Sequence, residues 1–445
     1  MHQMNCRSVA ISACGLLSGA ILGYSVHRTV GTGWTTTASE QLFGTPAATT
    51  AVIAALVGMT AAWLLAWGRF SCAAAFATGL AGLAVVGALH ALPAPQEWNE
   101  LPLALGIGLG LLIVPAVTLP TAQRWFFGGV IAGGVLGFQL DTLVDPSRYL
   151  YGDFPSSTVV AEQPWQFIVA GLALLALLAA LWLSRADRID SEPSITPVAF
   201  GATLAIAAGL VVRFWSESEW LPAAAIVLIL GTFAAAQRIL PPDQANSLAA
   251  AMAAAAILVA LPGFDRTPST VTLFVGAVAL IGGALYGLRV SSPALAVGLC
   301  AAAGLIATLS FVSETNWVRL LAGALLLFAV AATGTSCLPM RPALLAGWSV
   351  LPTVAALTTA QLPTATDATS IPRYGDWLEG EYIPWSGVAR GRAELMLTDT
   401  SQQLALARPD MIVPGLIATG LCAVCAVWLT RRGNASINEP TTDPT

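Results

Sequence analysis

Fourteen windows of about twenty mostly apolar residues run through this chain, separated by short polar breaks. A helix of that length crosses the hydrocarbon core of a bilayer, and in lipid each backbone N–H and C=O must find its partner within its own segment. The windows therefore predict helices at 8–26, 48–67, 71–91, 101–119, 125–144, 165–184, 196–213, 220–237, 246–263, 270–288, 293–312, 317–335, 342–359 and 410–430. The seventh, ninth and thirteenth are the weakest, so the expectation is about 12–14 spans. Charged residues make up 10% of the 445, against about 25% in soluble domains. The expected fold class is an all-α polytopic membrane protein of about 14 transmembrane helices, with the lipid bilayer as its first partner.

Charge predicts the sidedness. All 19 basic residues are arginine. With the N-terminus inside, Arg7, Arg69, Arg124, Arg185, Arg188, Arg238, Arg289, Arg341, Arg431 and Arg432 fall in short inner segments, as the positive-inside rule requires. The C-terminus is then also inside. The expected organisation is a first membrane bundle of about six spans at 1–184 and a linker, "SRADRIDSEPS", giving a cytoplasmic segment at 185–195. A second bundle of about seven spans follows at 196–359, then a long outer segment at 360–409, the last span at 410–430 and a polar tail at 431–445. The outer segment carries "RYGDWLEGEYIPWSG" (373–387), a composition that suits a folded cap better than a disordered linker. Abundant Ala, Gly and Arg suggest a GC-rich coding sequence, and a bacterial plasma membrane is the expected location.

Several classes are excluded. A net charge of −5 with no dense basic patch does not suit nucleic acid. The seven cysteines lie mostly inside apolar windows, so no disulfide framework is expected, and the Cys422–Cys425 CxxC reads as helix packing. There is no Walker A, HExxH, GxSxG or channel-filter signature, and no His/Cys spacing for a metal. Neither cofactor nor metal is expected.

One pattern appears twice: "FWSESEW" (214–220) and "FVSETNW" (311–317), both F-x-S-E-x-x-W at outer turns. Trp and Tyr faces stack on sugar rings and cations, and carboxylates accept hydrogen bonds from hydroxyls. Glu217, Trp220, Glu314 and Trp317 are therefore candidate substrate contacts, with Arg213 and Arg319 beside them as bidentate anion donors. The competing reading is an interfacial aromatic belt with solvated acids. A second echo pairs "GAILGYSV" (19–26) with "GGVLGFQL" (133–140), each followed by an ionisable residue, His27 or Asp141. If the first, third and fifth spans are neighbours, His27, His90 and Asp141 form a titratable cluster able to couple protons. The alternative is interfacial residues reaching water. Both echoes are offset by four spans, as a parallel internal repeat would be.

The layout resembles that of the fourteen-span drug–proton antiporters of the major facilitator superfamily, which are N-in and C-in with a long outer loop before the last span. "GGVIAGGVLG" (128–137) is similar to that family's fifth-span motif without its proline. The inner loop that should read G-x-L-a-D-r-x-G-r is here Gly68, Arg69 and Phe70. The layout is also similar to envelope polysaccharide polymerases and ligases, whose outward-facing arginines Arg373, Arg390 and Arg392 would match. The first resemblance implies a secondary transporter or flippase acting on a small-molecule or lipid-linked substrate. The second implies an envelope enzyme acting on a lipid-linked sugar at the outer leaflet. A third possibility is a non-catalytic membrane subunit of an envelope complex. A water-filled cavity at the midplane would favour transport, one open only outward would favour the enzyme, and no cavity would favour the subunit.

Overall fold

A computed structural model of the chain describes residues 6–31, 42, 43, 45–91, 101–144, 164–184, 187–189, 194–215, 221–261, 270–290, 292–313, 315–352 and 412–437. Within these it is helical throughout, with no strand longer than a single bridge. The helices are α1 (Cys6–Gly31), α2 (Pro46–Trp67), α3 (Cys72–Ala91), α4 (Leu101–Thr118), α5 (Pro120–Val144), α6 (Pro164–Leu183) and α7 (Ile195–Trp215). They continue with α8 (Leu221–Ile239), α9 (Pro242–Ala256), α10 (Thr270–Arg289), α11 (Pro293–Ser310), α12 (Asn316–Ser336), α13 (Pro342–Trp348) and α14 (Ile412–Ile437). Eleven helices among the described residues are long and apolar enough to cross a membrane. The chain is a multi-pass helical membrane protein.

Proline opens α2, α5, α6, α9, α11 and α13. Its missing N–H costs nothing at a first helical position, and its fixed φ suits the helix start. Besides α1, which runs on to Gly31 rather than ending at 26, three boundaries differ most from the sequence expectation. First, α5 begins at Pro120 rather than 125, because Thr121, Gln123 and Arg124 belong to its first turn. Second, α9 starts four residues early and tightens into a 3₁₀ turn at Ile257–Ala260. Third, α14 runs seven residues beyond 430, carrying Arg431 and Arg432 on helix. The outer segment 360–409 and most of the thirteenth window lie outside the described residues.

Six pairings among α1–α6 recur in α9–α14 with an offset of eight helices, whereas those of α1 with α2 and of α4 with α5 stand in the first set alone among the described residues. In the first set α1 packs on α5 and α6, α4 packs on α1, α2 and α3, and α3 also packs on α6. In the second, α9 packs on α13 and α14, α12 packs on α9, α10 and α11, and α11 also packs on α14. The pair α7 and α8 stands between the sets, with α7 against α2 and α13. The sets meet where α2 and α4 touch α13 and where α5 touches α10 and α12.

The tightest contact, α1 on α5, joins the two halves of the second sequence echo. A Cβ at Gly15, Gly19 or Gly23 would overlap the backbone of Ala122, Phe126 and Val130, and one at Gly129 or Gly133 would overlap that of Leu16 and Ala20. Two stripes of glycine at four-residue spacing mate face to face, as small-residue stripes do in lipid, where close backbone approach replaces the hydrophobic drive. The stripes within "GAILGYSV" and "GGVLGFQL" are thus each other's packing partner.

The linker after α6 is not a loose polar loop. Asp187 pairs with Arg7 of α1, the Asp187 carbonyl accepts from Cys72 N–H at 2.8 Å, and Ile189 N–H donates to the Phe70 carbonyl at 3.3 Å. Ser71 and Arg188 form an isolated antiparallel bridge. The turn that receives this strap contains Arg69 at φ 50°, the left-handed region. The strap ties the inner ends of α1, α2, α3 and α6 together. By contrast, α6 turns Phe167, Ile168, Leu172, Leu175 and Trp182 outward, an exposed apolar face that lipid covers.

Candidate functional site

Three of the residues singled out in the sequence have described side chains. The Arg213 guanidinium donates to the Leu42 carbonyl at 2.8 Å and so holds the segment entering α2 against α7. Trp317 is 63% exposed at the start of α12, the placement of an interfacial belt residue. Arg319, two residues on, has Nε and Nη2 shielded from solvent without a hydrogen-bond partner among the described residues. Glu217, Trp220 and Glu314 lie outside the described residues. The helices flanking the two F-x-S-E-x-x-W turns can still be compared. Among the described residues α7 and α8 pack chiefly on α2, α9 and α13, whereas α11 and α12 pack on α5, α9, α10 and α14.

Positions 27 and 141 lie at the same end of the parallel pair α1 and α5, because Gly137 of α5 sits against the Tyr24 ring of α1. Position 90 ends α3, which packs chiefly on α4 and α6 rather than on α1 or α5. The side chains of His27, His90 and Asp141 are outside the described residues. Near this end Tyr24 stands edge-on to Trp165, ring centres 4.7 Å apart, and its hydroxyl accepts from Gln166 Nε2. Among the described residues no group of three or more His, Cys, Asp or Glu could hold a metal.

The most fully built polar and aromatic arrangement lies elsewhere, on the seam between the two six-helix sets at the end carrying the α1 N-terminus. Gln123, in the first turn of α5, is 2% exposed. Its Nε2 donates to the Val117 carbonyl at 2.7 Å and to the Met340 carbonyl at 2.9 Å, while its Oε1 accepts from Met340 N–H at 3.0 Å. The side-chain amide thus pairs with the backbone of the α12–α13 turn much as a neighbouring strand would. Residue 341 is held in turn by Gln244 of α9, whose Oε1 accepts from the Arg341 N–H at 2.7 Å.

One turn deeper, Phe127 shares the Gln123 face, because residues four apart line one side of a helix. Its ring stacks on Trp348 of α13, centres 4.1 Å apart and planes 15° apart. Room for it comes from Gly334 of α12, where a Cβ would strike the ring. Trp348 Nε1 donates to the Ala251 carbonyl of α9 at 2.8 Å. An amide clamp at the end carrying the α1 N-terminus and an aromatic plug one turn further in therefore close that half of the seam.

Crevices open beside this seam and away from it. One of about 30 Å³ lies between α2, α7 and α13 at the end carrying the α1 N-terminus, with Met59, Trp63, Ser194 and Arg341 in its wall. Another, of about 390 Å³, lies along α14 by Val424, Val427 and Trp428. Neither is at the midplane between the two sets.

Sequence reasoning passed over Gln123, Phe127 and Trp348. The sign available was a buried-length polar tract, "PTAQRW" (120–125), too short to be a solvated loop between two apolar runs.

No family model matches the chain, and no curated protein matches it. Among solved structures it is similar to the POT family transporter PepTSo, with a TM-score of 0.45 and 13% sequence identity over 97% of this chain and 98% of that one. No residue role passes between the two chains at that distance.

Proposed function

We propose that the chain is a secondary transporter of the plasma membrane, in which two six-helix bundles rock about the seam between them. The observation that carries the reading is the repeated packing order of α1–α6 and α9–α14. Duplicated bundles facing one another are the usual construction for alternating access, with the substrate held between them. The seam suits such movement. Its described contacts are stacked rings, small residues and neutral hydrogen bonds, all of which separate and re-form without stranding a charge in lipid. The closed inner half then corresponds to a state sealed on the inner side. The α7–α8 pair and the strap 187–189 brace the first bundle as one body.

The substrate class that the outer face favours is a hydroxyl-rich or anionic molecule, small or lipid-linked, met by Glu217, Trp220, Glu314, Trp317, Arg213 and Arg319. The test is mass-spectrometric comparison of lipids, glycans and small metabolites inside and outside a deletion strain and its parent. A transporter predicts one compound retained on the wrong side, or a lipid-linked precursor accumulating while its polymer is lost. A second reading is a non-transporting subunit of an envelope complex. Unchanged compound distributions, with a stable co-purifying partner, would select it.

A further inference from the structure

Resting on the two-bundle reading, we infer that Gln123 is the latch of the inner gate: the amide clamp on Met340 is the polar contact that breaks when the inner side opens. Three features of the seam carry this.

First, two described hydrogen bonds cross from α1–α6 to α9–α14, both between Gln123 and Met340. Two neighbouring bonds stay within the second bundle. Trp348 bonds Ala251, and the Arg341 N–H bonds Gln244, all in α9–α13. Parting the bundles therefore leaves those bonds intact and gives up the clamp.

Second, the clamp serves groups with no other partner. Residues 338–341 belong to no helix, so the Met340 N–H and carbonyl have no helical bonds to fall back on. Met340 is 3% exposed. Without Gln123 both groups would be buried and unpaired, which a folded chain rarely tolerates. Opening exposes them to water, which satisfies them as well as the amide did.

Third, the clamp sits at the edge and the plug sits inside it. Phe127 slides from between Gly334 and Trp348 without losing a directional bond, so the aromatic layer seals the path while the amide sets the threshold. A Gln does this where a charged pair would not, because its neutral amide can be wetted or buried at modest cost.

The experiment places spin labels on Arg124→Cys and Arg289→Cys, exposed positions at the inner ends of α5 and α10, in a Cys6→Ser background. The remaining native cysteines are buried. Distances are measured by pulsed electron resonance on the full chain in lipid nanodiscs. The parent should give one short distance. Gln123→Ala should raise a longer-distance population roughly tenfold, the effect of losing one or two net hydrogen bonds. Gln123→Glu keeps the side-chain size if the alanine variant fails to fold. As a carboxylate it accepts but cannot donate, and as a neutral acid it recovers one donor. Its longer-distance population should therefore grow as pH rises and shrink as pH falls. Trp348→Ala, which removes the plug, separates the outcomes. If it opens the seam and the folded Gln123 variants do not, Gln123 is no latch and the rocking reading stands. If none of these variants yields a second distance, the latch and the two-bundle reading both fail.

Discussion

At Gly133 the α5 backbone lies so close to the Ala20 carbonyl of α1 that no side chain fits, whereas at Gly128, one residue before the stripe, nothing stands within 4 Å of where a Cβ would be. The same residue type is thus obligatory at one position and incidental at the other. Gly133→Val should lower stability by about 3 kcal/mol or more, the upper range for overpacking, because the obstacle is backbone and not a side chain that can turn aside. Gly128→Ala should be neutral or stabilising by up to about 1 kcal/mol, the gain of replacing glycine inside a helix. Thermal unfolding of the two purified variants checks both, and equal midpoints would refute the zipper. At this scale the sequence spoke partially. The stripes "GAILG" and "GGVLG" could be seen as surfaces for close approach, but their likeness also suggested duplication at a four-span offset. Only the placement of α1 beside α5 shows that the two stripes meet in one contact. Gln123 was less visible still. Its bonded partner Met340 is 217 positions away, and nothing in a polar tetrad such as "TAQR" marks which member turns inward.

Among elements, the helices were legible and their partners were not. Span length, charge and proline placement locate most of the helices, several with ends four to seven residues away from the expectation, since lipid leaves the backbone no other solution. Pairing depends on the shape of apolar surfaces, and to a hydropathy scan Phe127 and Trp348 look like any other ring in an apolar run. The strap shows a different limit. "SRADRIDSEPS" reads as a solvated loop by composition, yet 187–189 folds back on the α2–α3 turn. Its ion pair should matter little. The side chains of Arg7 and Asp187 are 43% and 36% exposed, and such pairs contribute about 0–1 kcal/mol. The backbone bonds should matter more, because they satisfy groups at the ends of helices. Asp187→Asn is therefore expected to change the unfolding midpoint slightly. Ile189→Pro, which deletes the N–H given to the Phe70 carbonyl, should cost about 1–3 kcal/mol. The reverse order would mean that electrostatics, not backbone pairing, holds the strap.

For the whole molecule, the described contacts join several turns at one end: the α1 N-terminus to the linker through Arg7 and Asp187, and the α4–α5 turn to the α12–α13 turn through Gln123 and Met340. The arginines assigned inward, Arg7, Arg69, Arg124, Arg188 and Arg341, belong to these turns or adjoin them, so one end of the bundle gathers the charge that the positive-inside rule assigns to the cytoplasm. An impermeant maleimide should therefore label Val312→Cys, 61% exposed in the α11–α12 turn, in intact cells, and Arg124→Cys only after permeabilisation. Inverted labelling would reverse the orientation. The seam then carries one further consequence. The described hydrogen bonds across it join an uncharged amide to uncharged backbone, and its rings stack without a cation. Salt screens charges, with a Debye length of about 10 Å at 0.1 M and about 3 Å at 1 M, and leaves neutral contacts almost untouched. The balance between the short and long inner-end distances should accordingly stay constant as salt rises from about 0.1 M to about 1 M. A transporter whose gate closes by ion pairs would open over the same range. A strong salt dependence would place the governing contact outside the Gln123–Met340 clamp, among the charged residues of the inner edge such as Arg341.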